Sequence, residues 1–197
     1  PLRLVGSEMC IRDSSGTLAK EIHLGKSVGI LDLTRGELGT RGSAEVRDKE
    51  SAAAAKILNI KVRENLSFSD GFFINDKHHQ IEIIKIIRKY RPDVVFCNAV
   101  DDRHIDHPKA SQLVSSSCFL SGLTKINTKL DGSNVFQEEW RPKFIYHYLQ
   151  WKNISPDICV DISDFMTIKL KAVMAYKSQF FKKGLSEKNT PISVSYT

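Results

Sequence analysis

The sequence contains no apolar run long enough to cross a membrane. None of its hydrophobic stretches approaches the ~18 residues that a membrane-spanning helix requires, and the N-terminus lacks the charged-then-apolar order of a secretory signal. Its four cysteines, Cys10, Cys97, Cys118 and Cys159, show no short-range pairing, and two of them lie in apolar runs. This usage favours buried thiols in a reducing compartment. We therefore expect a cytoplasmic protein that does not bind membranes.

Basic residues outnumber acidic ones, yet their arrangement does not indicate a nucleic-acid site. The 197 residues include 29 Lys and Arg against 23 Asp and Glu, which gives a formal net charge of +6. The cations are scattered, and no basic run is interleaved with aromatic residues. We expect no nucleic-acid partner and interpret the charge as a solvated surface with a bias toward anionic small substrates. One globular domain accounts for the length.

Short apolar runs alternate with helical patterns along most of the chain. Predicted strands lie at 28–33, 62–68, from 94, at 143–150 and at 158–162, and predicted helices at 15–24, 43–58, 78–90, 109–123 and 164–180. This alternation is typical of an α/β fold with a Rossmann-like, mostly parallel sheet and helices on both faces. Residues 1–14 show neither strand alternation nor a helical face, so we expect the first strand and its loop to be replaced.

Ionisable side chains crowd into the segment after the predicted strand at Val94. Within residues 101–107, named here the histidine loop, the chemistry-bearing residues are Asp101, Asp102, Arg103, His104, Asp106 and His107. Pro108 then favours a helix start. In open α/β sheets, ligands bind where loops leave the carboxyl ends of strands. A solvated turn would explain the aspartates, but two histidines three residues apart, with an aspartate between them, favour a metal or acid/base site.

A zinc hydrolase would give these residues different tasks. A catalytic zinc takes three protein ligands and a water whose pKa it lowers toward neutrality. His107, at the helix start, is a candidate ligand. His104 can act as an acid that stabilises an oxyanion, with Asp106 holding its imidazole in one tautomer. One histidine is not a metal site, so two further ligands and a general base must come from a neighbouring strand-to-helix junction.

A second loop, residues 34–42, carries three glycines and three charged side chains after the strand at 28–33. This glycine loop is either a flexible turn or a place where substrate is gripped. The helix after it carries Arg47 and Glu50 one turn apart, which is often only a surface ion pair. Arg47 is a candidate site residue if its face of the helix turns toward the glycine loop.

Five segments together resemble the LmbE-like (PIG-L) zinc deacetylases, namely residues 33–42, 47–50, 69–73, 102–107 and 146–152. Within that family they are most similar to the deacetylase of bacillithiol biosynthesis, which removes acetyl from N-acetylglucosaminyl malate. The resemblance implies that His107 is a zinc ligand, that His104 is the polarising acid with Asp106 as its partner, and that Arg47 and Arg103 contact substrate.

The chain departs from the family pattern at its start. The family opens with a strand followed by Ala-His-Pro-Asp-Asp, which supplies two zinc ligands and the general base. Counted without gaps, His-Pro-Asp-Asp would fall on residues 6–9, which read Gly-Ser-Glu-Met, and only Glu8 could do related work. Residues 4–14 resemble a translated sequencing adapter. We therefore interpret residues 1–14 and 194–197 as non-native and residues 15–193 as the deacetylase domain.

The resemblance implies a zinc-dependent N-deacetylase of a small glycoside, N-acetylglucosaminyl malate, impaired as written because the first motif is absent. Two alternatives stay open. The substrate could be another N-acetylglucosaminyl conjugate, or the chain could be a non-catalytic sugar- or nucleotide-binding Rossmann module. A homo-oligomer is compatible with the sequence.

Overall fold

A computed structural model describes the backbone of residues 2–6 and 10–180 and the side chains of residues 11–180. The elements in chain order are β1 Leu2–Gly6, α1 Cys10–His23, β2 Ser27–Asp32, α2 Ala44–Leu58, β3 Val62–Asn65, α3 Lys77–Tyr90, β4 Val94–Cys97, α4 Asp106–Leu120, β5 Phe144–His147, a short 3-10 helix Ser163–Phe165 and α5 Met166–Met174. Across the described residues, five parallel strands form one sheet in the order β3-β2-β1-β4-β5. The predicted α/β architecture is confirmed.

Local sequence signals explain where α2 and α3 begin and end. Ser43 and Asp76 precede α2 and α3 in extended backbone, and each side chain accepts a hydrogen bond from an amide in the first turn. Asn59 and Arg91 then end these helices in the left-handed conformation. The predicted helices at 43–58 and 78–90 are therefore nearly as expected.

Two apolar clusters cover the two faces of the sheet. One cluster joins α1, α2 and α5 to Val28 and Ile30 of β2. The other joins α3 and α4 to the opposite face, through Leu31 and Val95 among others. Helices thus lie on both faces, as the alternating pattern predicts.

We expected the first strand and its loop to be replaced because residues 1–14 show no strand pattern, but residues 2–6 do form a strand. Residues Leu2–Gly6 form β1, which pairs in parallel with β2 over five residues and with β4 over three. A central strand is stabilised by ladders on both sides, so this tertiary pairing fixes a segment whose own pattern is weak. Helix α1 likewise begins at Cys10 rather than Ser15. The interpretation of residues 1–14 as non-native must therefore allow for a strand in the sheet, whereas residues 7–9 and 194–197 lie outside the described residues.

Several other boundaries differ from the predictions, and β3 and β5 are both shorter than the predicted strands at 62–68 and 143–150. Helix α4 begins at Asp106 and so includes His107 in its first turn. Residues 158–162 form no strand and are mostly exposed, and the last helix is shorter than predicted, ending at Met174. Over the part of the chain that the structure describes, no helix is both long and apolar enough to span a membrane.

Candidate active site

The histidine loop lies at the carboxyl edge of the sheet, beside the end of β1. Because β1 lies between β2 and β4 and all three run parallel, the segments that follow them leave the sheet at the same edge. The glycine loop follows β2, and the histidine loop follows β4. The topology therefore brings the end of β1, the glycine loop and the two histidines to one edge.

His107 is the most enclosed histidine of the site. Its Nδ1 lies 3.1 Å from Asp102 Oδ1, an ion-pair distance whose direction falls short of a good hydrogen bond. Its Nε2 lies 3.4 Å from Gln150 Nε2, and its ring stacks on that of His104 with centroids 4.8 Å apart. Burial lowers the pKa of His107, and His104 acts in the same direction while Asp102 opposes it. His107 is therefore a neutral imidazole near pH 7, the form that binds metals.

The imidazole ring of His104 is held by a backbone amide rather than by a carboxylate. Its amide donates to Asp102 Oδ1 at 2.8 Å, and its Nδ1 accepts the Asp106 amide at 3.3 Å. The carboxylate of Asp106, expected to hold this imidazole, instead accepts the Gly71 amide at 2.7 Å and lies 3.5 Å from Lys109 Nζ. Because an amide N–H can only donate, the contact places the proton of neutral His104 on Nε2. His104 thus has one tautomer, as expected, but the Asp106 backbone amide sets it and not the Asp106 carboxylate.

Arg103 lies at the exposed rim of the histidine loop. Its guanidinium carbon lies 4.3 Å from the centroid of the Trp151 ring, a cation–π contact. Next to it, Lys152 forms an ion pair with Asp101. The segment after β5 is thereby fastened along the histidine loop.

Arg47 is buried against the glycine loop, not paired with Glu50 at the surface. It is 6% exposed, and its Nη2 donates to the Arg41 carbonyl at 3.2 Å and to Gln179 Oε1 at 3.1 Å. Glu50 accepts two hydrogen bonds from Ser178, both of 2.7 Å. A Cβ added at Gly39 would lie 1.8 Å from Arg47 Nη2, so the guanidinium lies directly over that glycine. Arg47 thus faces the glycine loop, as a role in the site requires. Its contact with substrate remains a proposal.

Two residues that contact this site have no strong signal in the sequence that predicts it. Gln150 approaches His107, and Asp13 of α1 lies 3.4 Å from the same Gln150 nitrogen. Asp13 also acts electrostatically on His107. Neither residue type has a distinctive spacing here, and both residues come from segments far from the histidine loop in sequence. The one available signal was that Gln150 lies in the segment 146–152, which resembles the deacetylase family.

The described residues do not by themselves compose a zinc site. Among side chains 11–180, no three His, Cys, Asp or Glu residues come close enough together to hold a metal ion. His107 has a suitable nitrogen, but a closed site needs more ligands than this residue and the nearby Asp13.

Comparison with known proteins defines the class. The family described as PIG-L, GlcNAc-PI de-N-acetylase, matches residues 12–118, which include both the glycine loop and the histidine loop. The chain belongs to this family.

Its relatives include carbohydrate deacetylases. A diacetylchitobiose deacetylase of Thermococcus kodakarensis is 30% identical over 186 residues, covering 87% of this chain and 66% of the relative. The chain thus spans just under two thirds of that relative's length. Among solved structures, the conserved protein TT1542 of Thermus thermophilus is 36% identical with a TM-score of 0.81, covering 91% of this chain and 79% of that one. The N,N'-diacetylchitobiose deacetylase of Pyrococcus horikoshii is 28% identical with a TM-score of 0.78, covering 92% and 71%.

Proposed function

We propose that this chain derives from an enzyme that hydrolyses the N-acetyl group of an N-acetylglucosaminyl conjugate. The observation that carries the proposal is the family match over residues 12–118, because it contains the histidine loop and the loop that encloses Arg47. The two diacetylchitobiose deacetylases among the relatives support an N-acetylated sugar as substrate.

The proposed chemistry uses His104 as the group that stabilises the oxyanion. With its Nδ1 accepting the Asp106 amide, its Nε2–H is available to an oxygen that becomes negative as the acetyl carbonyl is attacked. We assign His107 to the zinc that the family resemblance implies; in the family pattern, the remaining ligands come from the loop after the first strand. That loop, residues 7–9, lies outside the described residues, and its sequence lacks the family's His-Pro-Asp-Asp.

The finer substrate proposal is N-acetylglucosaminyl malate, as in bacillithiol biosynthesis. Malate carries two carboxylates, and guanidinium groups bind carboxylates through paired, charge-assisted hydrogen bonds. Arg103 stands at the rim of the histidine loop, where a guanidinium over an aromatic ring can still present N–H groups to an anion. Arg47, which is buried against the glycine loop, is the second candidate for binding a malate carboxylate.

The test is to restore the missing motif in place. The strand ends at Gly6 and α1 begins at Cys10, so the substitutions Gly6→His, Ser7→Pro, Glu8→Asp and Met9→Asp would put the motif at the end of β1, beside β4. We name this variant the restored chain. It should bind about one zinc per chain and release acetate from N-acetylglucosaminyl malate, with the new amine measured by fluorescent derivatisation.

The matched control is His107→Ala in the restored chain, which should lose both zinc and activity. A restored chain that folds by circular dichroism, binds zinc and still hydrolyses none of N-acetylglucosaminyl malate, N-acetylglucosamine or diacetylchitobiose would refute the deacetylase proposal. Activity on diacetylchitobiose alone would support the deacetylase proposal and refute N-acetylglucosaminyl malate as the substrate.

Two accompanying proposals concern context. Cys97 and Cys118 are buried and not joined in disulfides, which fits a reducing compartment such as the cytoplasm. A homo-oligomer stays a proposal, which gel filtration with light scattering would test.

A further inference from the structure

The two edges of the sheet differ in sequence. Among the described residues, β3 and β5 are the outer strands, and each is paired on one side. Strand β3 reads Val-Arg-Glu-Asn and carries two charged side chains, Arg63 and Glu64. Strand β5 reads Phe-Ile-Tyr-His, without Asp, Glu, Lys, Arg or Pro. Charges and prolines are means by which an edge strand avoids pairing with another chain, so β5 lacks a protection that β3 has.

The aromatic side chains of β5 are exposed. Phe144 is 54% exposed and Tyr146 is 37% exposed, and their rings stack with centroids 6.1 Å apart. The ring of Tyr146 also lies 5.7 Å from that of Phe96 on the neighbouring strand β4. Two stacked rings exposed at the edge of a sheet form an apolar patch that a partner can cover.

Two main-chain positions of β5 face away from the sheet. The amides of Phe144 and Tyr148 donate to carbonyls on the β4 side, each at 3.1 Å. The main-chain groups of successive residues in a parallel strand face alternate sides, so the N–H and C=O groups of Ile145 and His147 face outward. None of the described strands pairs with them. The β5 edge therefore has main-chain donors and acceptors in position for one more strand.

We propose that this edge is a self-association surface, at which β5 pairs antiparallel with β5 of a second copy of the chain. A two-fold axis through Tyr146 places Ile145 opposite His147 of the second copy, and His147 opposite its Ile145. Both outward-facing residues of each strand then form main-chain hydrogen bonds, and the two sheets join into one.

The symmetry of β5 is the reason why a second copy fits this edge. Its outward-facing residues lie on either side of Tyr146, so the strand is complementary to itself in the antiparallel direction. Residues opposite each other at the axis have Cα atoms about 4.5 Å apart, so the two Tyr146 side chains meet and cover the exposed patch. Four-residue strands form a small interface, and the dimer should therefore dissociate on dilution. None of this depends on the proposed deacetylase function.

Disulfide trapping tests both the contact and its register. In a Cys159→Ser background, which removes an exposed thiol, Tyr146→Cys puts two thiols at the axis within the Cα separation that a disulfide spans. Phe144→Cys is the matched control, because it lies on the same strand and face but its two copies are about 14 Å apart. With oxidised glutathione as oxidant, Tyr146→Cys should form the linked dimer at least about tenfold faster than Phe144→Cys on non-reducing gels.

Sedimentation velocity of the unmodified chain gives an independent measurement. Its average mass should rise from that of one chain toward that of two as the concentration increases. Tyr146→Lys places two ammonium groups opposite each other at the axis and should abolish this rise. Val135→Lys adds the same charge at an exposed apolar residue outside the strands, and it should leave the rise unchanged.

Each outcome decides the proposal. A chain that stays monomeric at every concentration would overturn it, and so would disulfide formation at equal rates in the two cysteine variants. Association that a folded Tyr146→Lys retains would also overturn it, because the contact would then lie on another surface. If that variant is poorly folded by circular dichroism, the trapping rates and the unmodified chain still decide. Concentration-dependent association with selective trapping of Tyr146→Cys would establish the surface.

Discussion

Replacing Gly39 by alanine tests whether Arg47 is held where the structure places it. An alanine Cβ at this position would lie 1.8 Å from Arg47 Nη2 and 2.7 Å from its Cζ, so the guanidinium must leave. The far end of an arginine can usually move at little cost. Here it is buried and hydrogen-bonded to Arg41 and Gln179, so leaving breaks those contacts.

The cost follows from the bonds that are lost. Two hydrogen bonds from a charged donor, taken at the lower figure of about 1.5 kcal/mol each, amount to about 3 kcal/mol. Alanine restricts the unfolded chain more than glycine does, which returns about 0.5 kcal/mol. We therefore expect Gly39→Ala to lower the free energy of unfolding by about 2.5 kcal/mol.

The assay is urea unfolding of four proteins in a double-mutant cycle: wild type, Gly39→Ala, Arg47→Ala and the double variant. In the Arg47→Ala background there is no guanidinium to displace, although the added Cβ still lies 3.1 Å from the Gly36 carbonyl oxygen, so Gly39→Ala should cost at least about 1.5 kcal/mol less than it does in the wild type. Equal costs of Gly39→Ala in both backgrounds would refute the contact. A Gly39→Ala variant as stable as the wild type would show that the Arg47 guanidinium can leave its position without loss of stability.

Four further predictions use simpler measurements. The unmodified chain should bind zinc weakly, because zinc affinity depends on the number of ligands. Elemental analysis after dialysis tests this, and about one zinc per chain would show that further residues act as ligands. In the restored chain, His104→Ala should keep zinc while lowering kcat by roughly 10²-fold or more, whereas loss of zinc would make it a ligand. Also in the restored chain, Arg103→Ala should raise KM for N-acetylglucosaminyl malate by an amount worth about 1.5–3 kcal/mol and leave KM for N-acetylglucosamine nearly unchanged. Equal losses on both substrates would show that Arg103 does not bind the malate carboxylates. Burial raises the pKa of Cys118 to about 12, so iodoacetamide at pH 8 should label exposed Cys159 and spare Cys118, as peptide mass spectrometry would show.

The parts of the fold that sequence predicts are those with strong local signals. Helices α2 and α3 combine capping side chains with clear periodicity, and β2 is a continuous apolar run bounded by turns. Strand β1 has no such signal, because Arg3 interrupts a five-residue run and both of its partners are remote in sequence. The run at 158–162 fails in the opposite way: its apolar residues resemble a strand, but among the described residues it finds no neighbouring strand to pair with.

The residues of the site also differ in how well the sequence predicts them. The histidine loop is predictable because its residues are adjacent and their chemistry is distinctive. Gln150 and Gln179 are not, since glutamine has no signature spacing and each acts on a residue more than 40 positions away. The role of the Asp106 backbone was also beyond sequence reasoning, because the choice between its amide and its carboxylate depends on the first turn of α4.

Fold and chemistry place different demands on the junction between β1 and α1. Strand β1 is integrated through main-chain ladders on both sides, and such ladders tolerate a wide range of side chains. Metal binding depends instead on the identity of particular side chains at the end of that strand. Changes at residues 6–9 can therefore remove ligands while the sheet keeps its order, and the histidine loop and His107 keep their places because their contacts come from β4, α4 and the segment after β5. Restoring four side chains is for this reason a test of chemistry on a fold that already holds the histidine loop at the same edge of the sheet, where we propose that His107 is a ligand.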